Sequence, residues 1–127
     1  MEILMKDETE TLKILQKIED FIEYTYPGLQ QFPKSERYAM VADMKHSMDN
    51  MLRLAITAEK KLTKKTTLQE LDIEIMVMKT YVKMSYRLGF LPVKRRDVMN
   101  DYLAEIGRML GGWIKTCGSR ESERYRK

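Results

Sequence analysis

The stretch TLQELDIEIMVMKTYVKMSYRLG, Thr67 to Gly89, decides the fold. Its apolar residues recur at three- and four-residue spacing, the period of a helix. Leu68, Leu71, Ile75, Met78, Val82 and Tyr86 form one stripe. Ile73, Val77, Tyr81, Met84 and Leu88 form a second, rotated by roughly half a turn at about 100° per residue. The polar strip left over is narrow: Asp72, Lys79, Lys83 and Arg87. A helix apolar on two sides is buried on two sides. One stripe is expected to face the chain's own core and the other a second subunit. Thr67-Leu68-Gln69-Glu70 has the pattern of a capping box, in which side chains satisfy the free amides at a helix start. Gly89 suits a left-handed C-cap, and Phe90 is the apolar residue that often follows one.

Working upstream, Phe32-Pro33-Lys34-Ser35-Glu36 is expected to open helix 2, which runs to about Lys61. Val41, Met48, Leu52 and Ala55 mark one face of it; Met40, Met44, Met51, Leu54 and Ala58 mark the adjoining one. That apolar arc is wider than one core requires, so Met40, Met44 and Leu54 join the second stripe of helix 3 as the expected oligomer interface. Helix 1 is expected from Asp7 to Tyr26, with Leu15, Ile18, Phe21, Ile22 and Tyr26 inward and Pro27-Gly28 ending it. Downstream, Pro92 starts helix 4, which runs to about Cys117. Met99, Tyr102, Leu103, Ile106, Leu110, Trp113 and Cys117 form its core face. Gly107 and Gly111 each cost about 1 kcal/mol inside a helix relative to alanine, so close packing of a neighbouring backbone is the expected compensation. Long helices joined by short connections make an all-α, up-down-up-down four-helix bundle over residues 1–117. The polar tail 118–127, with Arg120, Arg124, Arg126 and Lys127, is expected to be disordered in isolation.

The 127 residues fit one domain able to bury its own core. With a single cysteine, Cys117, an internal disulfide is impossible, which suits a reducing cytoplasm. The opening residues Met1 to Asp7 do not read as a signal peptide, and no apolar run approaches the roughly 20 residues that span a bilayer. A cytoplasmic protein without a membrane partner is therefore expected. Residues 1–32 hold three basic and seven acidic side chains, a balance of −4, so the rest of a chain of net +4 carries +8. Such asymmetry points to a polyanion or an acidic protein surface.

The chain is poor in catalytic residues. His46 is its single histidine, and helical spacing sets it opposite Val41, Met48 and Leu52. Asp43-x-x-His46 faintly resembles the Glu-x-x-His motif of di-iron bundles, where two such motifs and two further carboxylates must converge inward. Cys117 falls in register with the core and reads as filling. No phosphate-binding glycine loop is present. No enzyme activity, cofactor, metal or small-molecule substrate is expected. The basic clusters carry the functional signal. Lys60, Lys61, Lys64 and Lys65 gather at the helix 2–3 junction, at the end where the tail should emerge. Lys79, Lys83 and Arg87 form a stripe that runs towards Lys94, Arg95 and Arg96, with Lys34 and Arg37 expected at the same end. A solvated strip is the plain alternative for Lys79 to Arg87. The unbroken Lys94-Arg95-Arg96 run favours contact with nucleic-acid phosphates, which would be sequence-independent and salt-dependent.

Three stretches carry a family likeness: Phe32 to Tyr38, Thr67 to Asp72, and Ile106-Gly107-Arg108-Met109-Leu110-Gly111-Gly112-Trp113-Ile114-Lys115. Together they resemble the accessory variability determinant proteins of diversity-generating retroelements. These sit within a wider four-helix-bundle family that includes proteins encoded by intervening sequences in bacterial 23S rRNA genes. The resemblance spans residues 30–116, and the helix 4 segment is its most specific part. The wider family often carries a small-residue run ending near Ala-Glu-Gly in helix 2; Met51 to Ile56 departs from it, which favours the retroelement branch. Membership implies a homopentameric barrel with a basic surface. It also implies binding to a reverse transcriptase and to template RNA or its cDNA, in support of mutagenic retrohoming. It does not identify which basic residues make the contacts. The alternative is an interaction bundle of the intervening-sequence branch with no polymerase partner.

Overall fold

The computed structural model describes the backbone over residues 6–124 and side chains over residues 13–117. The described residues form four α-helices: α1 (Lys6–Leu29), α2 (Met40–Lys60), α3 (Lys65–Arg87) and α4 (Val93–Arg124). Each packs on its chain neighbour and α1 closes on α4, while the diagonal pairs stay apart. The result is the expected four-helix bundle. At about 1.5 Å per residue α3 is roughly 35 Å long.

The core is built from layers that run across all four helices. Ile14, Ile18 and Phe21 of α1 meet Met44, Met48 and Met51 of α2, Leu68, Leu71, Ile75, Met78 and Val82 of α3, and Met99, Leu103, Ile106, Leu110 and Trp113 of α4. The first stripe of α3 and the core face of α4 are thus where the periodicity put them, except that Tyr86 is exposed and Tyr102 half-buried. The α1 register is different: Ile14, Thr25 and Leu29 are buried, whereas Leu15 and Ile22 flank the core and Tyr26 is exposed. Met44 is fully enclosed, which removes it from any intermolecular surface. Its sulfur has a local task instead, since Ser85 Oγ, itself buried, donates to Met40 Sδ at 3.2 Å and to Met44 Sδ at 3.5 Å.

The helix ends explain where the sequence reading slipped. Pro27 does not stop α1, which continues one turn to Leu29. Proline lacks the amide that would bond the carbonyl four residues back, so it adds one acceptor to those that a helix C-terminus already leaves without a helix donor. Arg95 Nη1 donates to the Tyr24 carbonyl at 3.3 Å and buried Leu29 anchors the turn. A Cβ at Gly28 would sit 3.0 Å from Arg95 Cδ, so glycine makes room for that arginine. Helix 2 does not begin at Pro33: Lys34–Glu36 is a separate 3-10 turn, and α2 starts at Met40, whose amide donates to Glu36 Oε2 at 3.2 Å. The capping box at Thr67 is not used. Helix α3 already starts at Lys65, and Thr67 is buried and accepts from Lys61 Nζ at 3.2 Å. The end of α3 is as expected. Gly89 has φ 81°, its amide donates to Tyr86 O, and the Phe90 amide donates to Ser85 O, a Schellman pair. Phe90 then packs on Phe32 with ring centroids 5.6 Å apart, which ties the α3–α4 connection to the α1–α2 connection. Helix α4 runs on to Arg124, past its expected end near Cys117. The side chains of the basic tail lie outside the described residues.

Candidate nucleic-acid interface

Spacing by four keeps Lys79, Lys83 and Arg87 on one line of α3, and the square packing turns that line towards α4. There they border an open groove of about 670 Å³ together with Arg96 and Asn100 of α4. Met76, Thr80 and Ala104 also line it, and Asp97 is its one acidic residue. Arg96 is held in place: its guanidinium lies 4.1 Å from the centroid of Tyr86 and pairs with Asp97 at 2.9 Å. Four cations therefore share one groove. Asn100 and the Arg96–Tyr86 stack were not legible in the sequence, because they depend on how α4 is rotated against α3.

Not every basic residue singled out by sequence belongs here. Arg95 points from another side of α4, half-buried over the end of α1, where its guanidinium also lies 5.2 Å from the Tyr24 ring centroid. It positions two helices and is withdrawn from the groove. Lys94 is exposed at the bundle end. The other cluster lies at the far end of α3. Lys64 is a helix cap: its ammonium donates to the carbonyls of Ala58 at 2.6 Å, Glu59 at 3.1 Å and Lys61 at 2.7 Å, serving the unpaired acceptors that end α2. Lys61 reaches Thr67, Lys60 pairs with Glu59 at 3.4 Å, and Lys65 is exposed. The two clusters do not form one surface.

The second α3 stripe stands open beside the basic line. Ile73 is 64% and Met76 60% exposed, and Val77 and Leu88 are exposed with them. Tyr81, Met84, Met40 and Leu54 are half-buried between α2 and α3. Ile73, Met76, Val77, Thr80, Tyr81 and Met84 line a shallow trough of about 400 Å³. Met76 was missed because its spacing places it next to the lysines. The phenol of Tyr81 has its pKa raised above 10.0, first by burial, then by the charges of Asp43 and Glu74 and a hydrogen bond to Asp43. On α4, a Cβ at Gly111 would meet nothing within 4 Å and one at Gly107 only Lys79 Nζ at 3.9 Å. Among the described residues no helix backbone approaches these glycines, so the close packing expected of them is not found within the bundle.

His46 is exposed on α2 and Cys117 is buried in the core. No helix among the described residues is long and apolar enough to cross a membrane. No curated protein matches the chain. The family described as bAvd-like matches residues 12–117, which takes in all four helices and both edges of the basic groove. The match agrees with the likeness carried by the Phe32, Thr67 and Ile106 stretches, and the chain belongs to the bAvd-like family.

Proposed function

We propose that this chain is a non-catalytic accessory subunit of a diversity-generating retroelement. In this reading it works in the cytoplasm, binds the reverse transcriptase and holds the template RNA or its cDNA while the enzyme copies it. Family membership supports the setting. The observation that carries nucleic-acid binding is the α3–α4 groove, which gathers Lys79, Lys83, Arg87 and Arg96 with a single carboxylate among them. Such contacts neutralise phosphates and release counterions, so they are sequence-tolerant and fall steeply with salt. The exposed line Ile73, Val77 and Leu88 is the surface proposed to meet a sister copy, with Tyr81, Met84, Met40 and Leu54 at its edge; the homopentamer follows from the family resemblance.

The test is a salt titration with a short single-stranded RNA. Changing Lys79, Lys83, Arg87 and Arg96 to glutamine together should weaken binding severely while leaving it measurable at low salt, with the helical signal unchanged. Loss of four phosphate contacts should flatten the slope of log affinity against log salt by about three on the single-strand scale. An unaltered slope would remove the groove from the proposal. Co-purification with a retroelement reverse transcriptase tests the partner.

A further inference from the structure

A second basic recess lies at the α1–α2 turn and shares no lining residue with the α3–α4 groove. It is a cleft of about 420 Å³ lined by Leu29, Phe32, Pro33 and Val41 on its apolar side and by Lys34, Arg37 and Lys45 on its charged side, with Gln30 at the edge. No carboxylate lines it. Among the described residues none of the three cations forms an ion pair. Lys45 is instead stationed 5.0 Å above the Tyr26 ring. Glu36, the nearest acid in sequence, is occupied at the start of α2 by the Met40 amide. Beside Arg37 stands Tyr38, 88% exposed, the kind of aromatic that anchors protein contacts when an arginine flanks it.

We propose that this cleft docks an acidic, apolar-anchored peptide segment of a partner protein. The argument is charge complementarity around an apolar floor. Three uncompensated cations attract an anion. A floor of leucine, phenylalanine, proline and valine gives nothing to a sugar–phosphate strand. It does receive an aliphatic or aromatic side chain, whose burial adds affinity that charge alone cannot. Base stacking inside the cleft is poorly served too, because Phe32, its aromatic lining residue, is committed to Phe90. A leucine or phenylalanine between carboxylates fits both halves of the cleft; a nucleic-acid strand fits one. The proposal stands apart from the nucleic-acid reading, since no residue is shared between the two recesses.

The test uses the full chain and three labelled probes in fluorescence anisotropy at low salt. One is a short peptide alternating glutamate with leucine, the second replaces its leucines with serine, and the third is an oligothymidylate of the same charge. The leucine peptide should bind saturably. The variant Lys34→Glu with Arg37→Glu and Lys45→Glu should weaken it at least about tenfold, and the corresponding glutamine variant by less. The serine peptide should bind several-fold more weakly than the leucine peptide. Lys79→Glu with Lys83→Glu should leave the peptide unaffected, so failure of the groove and failure of the cleft read out separately. Circular dichroism confirms that each variant is folded. The proposal is overturned if no peptide binding saturates, if serine and leucine probes bind alike, or if the cleft variant costs the oligothymidylate as much as the peptide.

Discussion

Arg95 and Arg96 are adjacent in sequence, yet α4 turns their side chains about 100° apart. Arg96 faces the groove on the Tyr86 ring, while Arg95 donates to Tyr24 O over the end of α1. Arg95→Ala should therefore cost about 1–2 kcal/mol of stability in urea denaturation and leave oligonucleotide affinity near that of the parent. Arg96→Ala should do the reverse. Lys64 has the same character as Arg95. Removing its ammonium strands the three carbonyls it serves at the end of α2, and Lys64→Ala should destabilise by about 1 kcal/mol without altering the salt slope. Tyr81 offers a titration. Burial and the Asp43 and Glu74 carboxylates hold its proton on, so Asp43→Asn should bring its midpoint down towards 10.0. Because the folded value is the raised one, the neutral phenol's stabilising contribution is intact below the ordinary value and lost as pH climbs through the raised one. Tyrosine ring-carbon NMR against pH follows it directly.

At the scale of the element, glycine has opposite effects at two places. Gly89 holds φ 81° at the end of α3, where any side chain is strained, and Gly89→Ala should lower stability by about 1 kcal/mol. Gly111 lies inside α4 with open space around it, so Gly111→Ala should raise stability by up to about 1 kcal/mol, measured by thermal unfolding. If a partner helix rests on that face, the same change will weaken self-association while stabilising the chain, a combination that sedimentation and melting curves separate. Helix α3 is the element whose reading was most complete. Its two apolar stripes and its basic line were all legible, since a helix of 23 residues repeats its period often enough to fix three faces. Helix α1 was read one position off on part of its length. Ile14 and Leu15 are equally apolar neighbours, and only the rotation imposed by α2 and α4 decides which of them is enclosed.

For the whole molecule, the arrangement of surfaces matters more than the net charge. Helix α3 presents an apolar trough and, next to it, one wall of a basic groove. If the trough is covered by a sister copy, as proposed, the grooves of neighbouring copies are brought close together. Ile73→Glu with Val77→Glu should keep the fold, because both side chains are exposed, and should shift the protein to a lower sedimentation coefficient. Nucleic-acid affinity should fall with it, through loss of multivalency rather than of contacts. An unchanged sedimentation coefficient would place the subunit contact elsewhere.

The amino-acid sequence by itself determined the number of helices, the inward face of α3 and α4, the glycine cap after α3 and the family. All of these depend on local period, on local backbone chemistry or on short contiguous motifs. The tertiary structure decided which cations are available. Lys64, Arg95 and Arg96 look alike as isolated charges, and only the chain packed around them shows that two are spent on carbonyls and one lines a groove. It also decided that Met44 is core and that Gly111 is open, and it assembled the α1–α2 cleft from Lys34, Arg37 and Lys45. The reason is physical: a helical period fixes the angle between neighbours on one element, whereas a groove or a cap is set by the rotation of one helix against another.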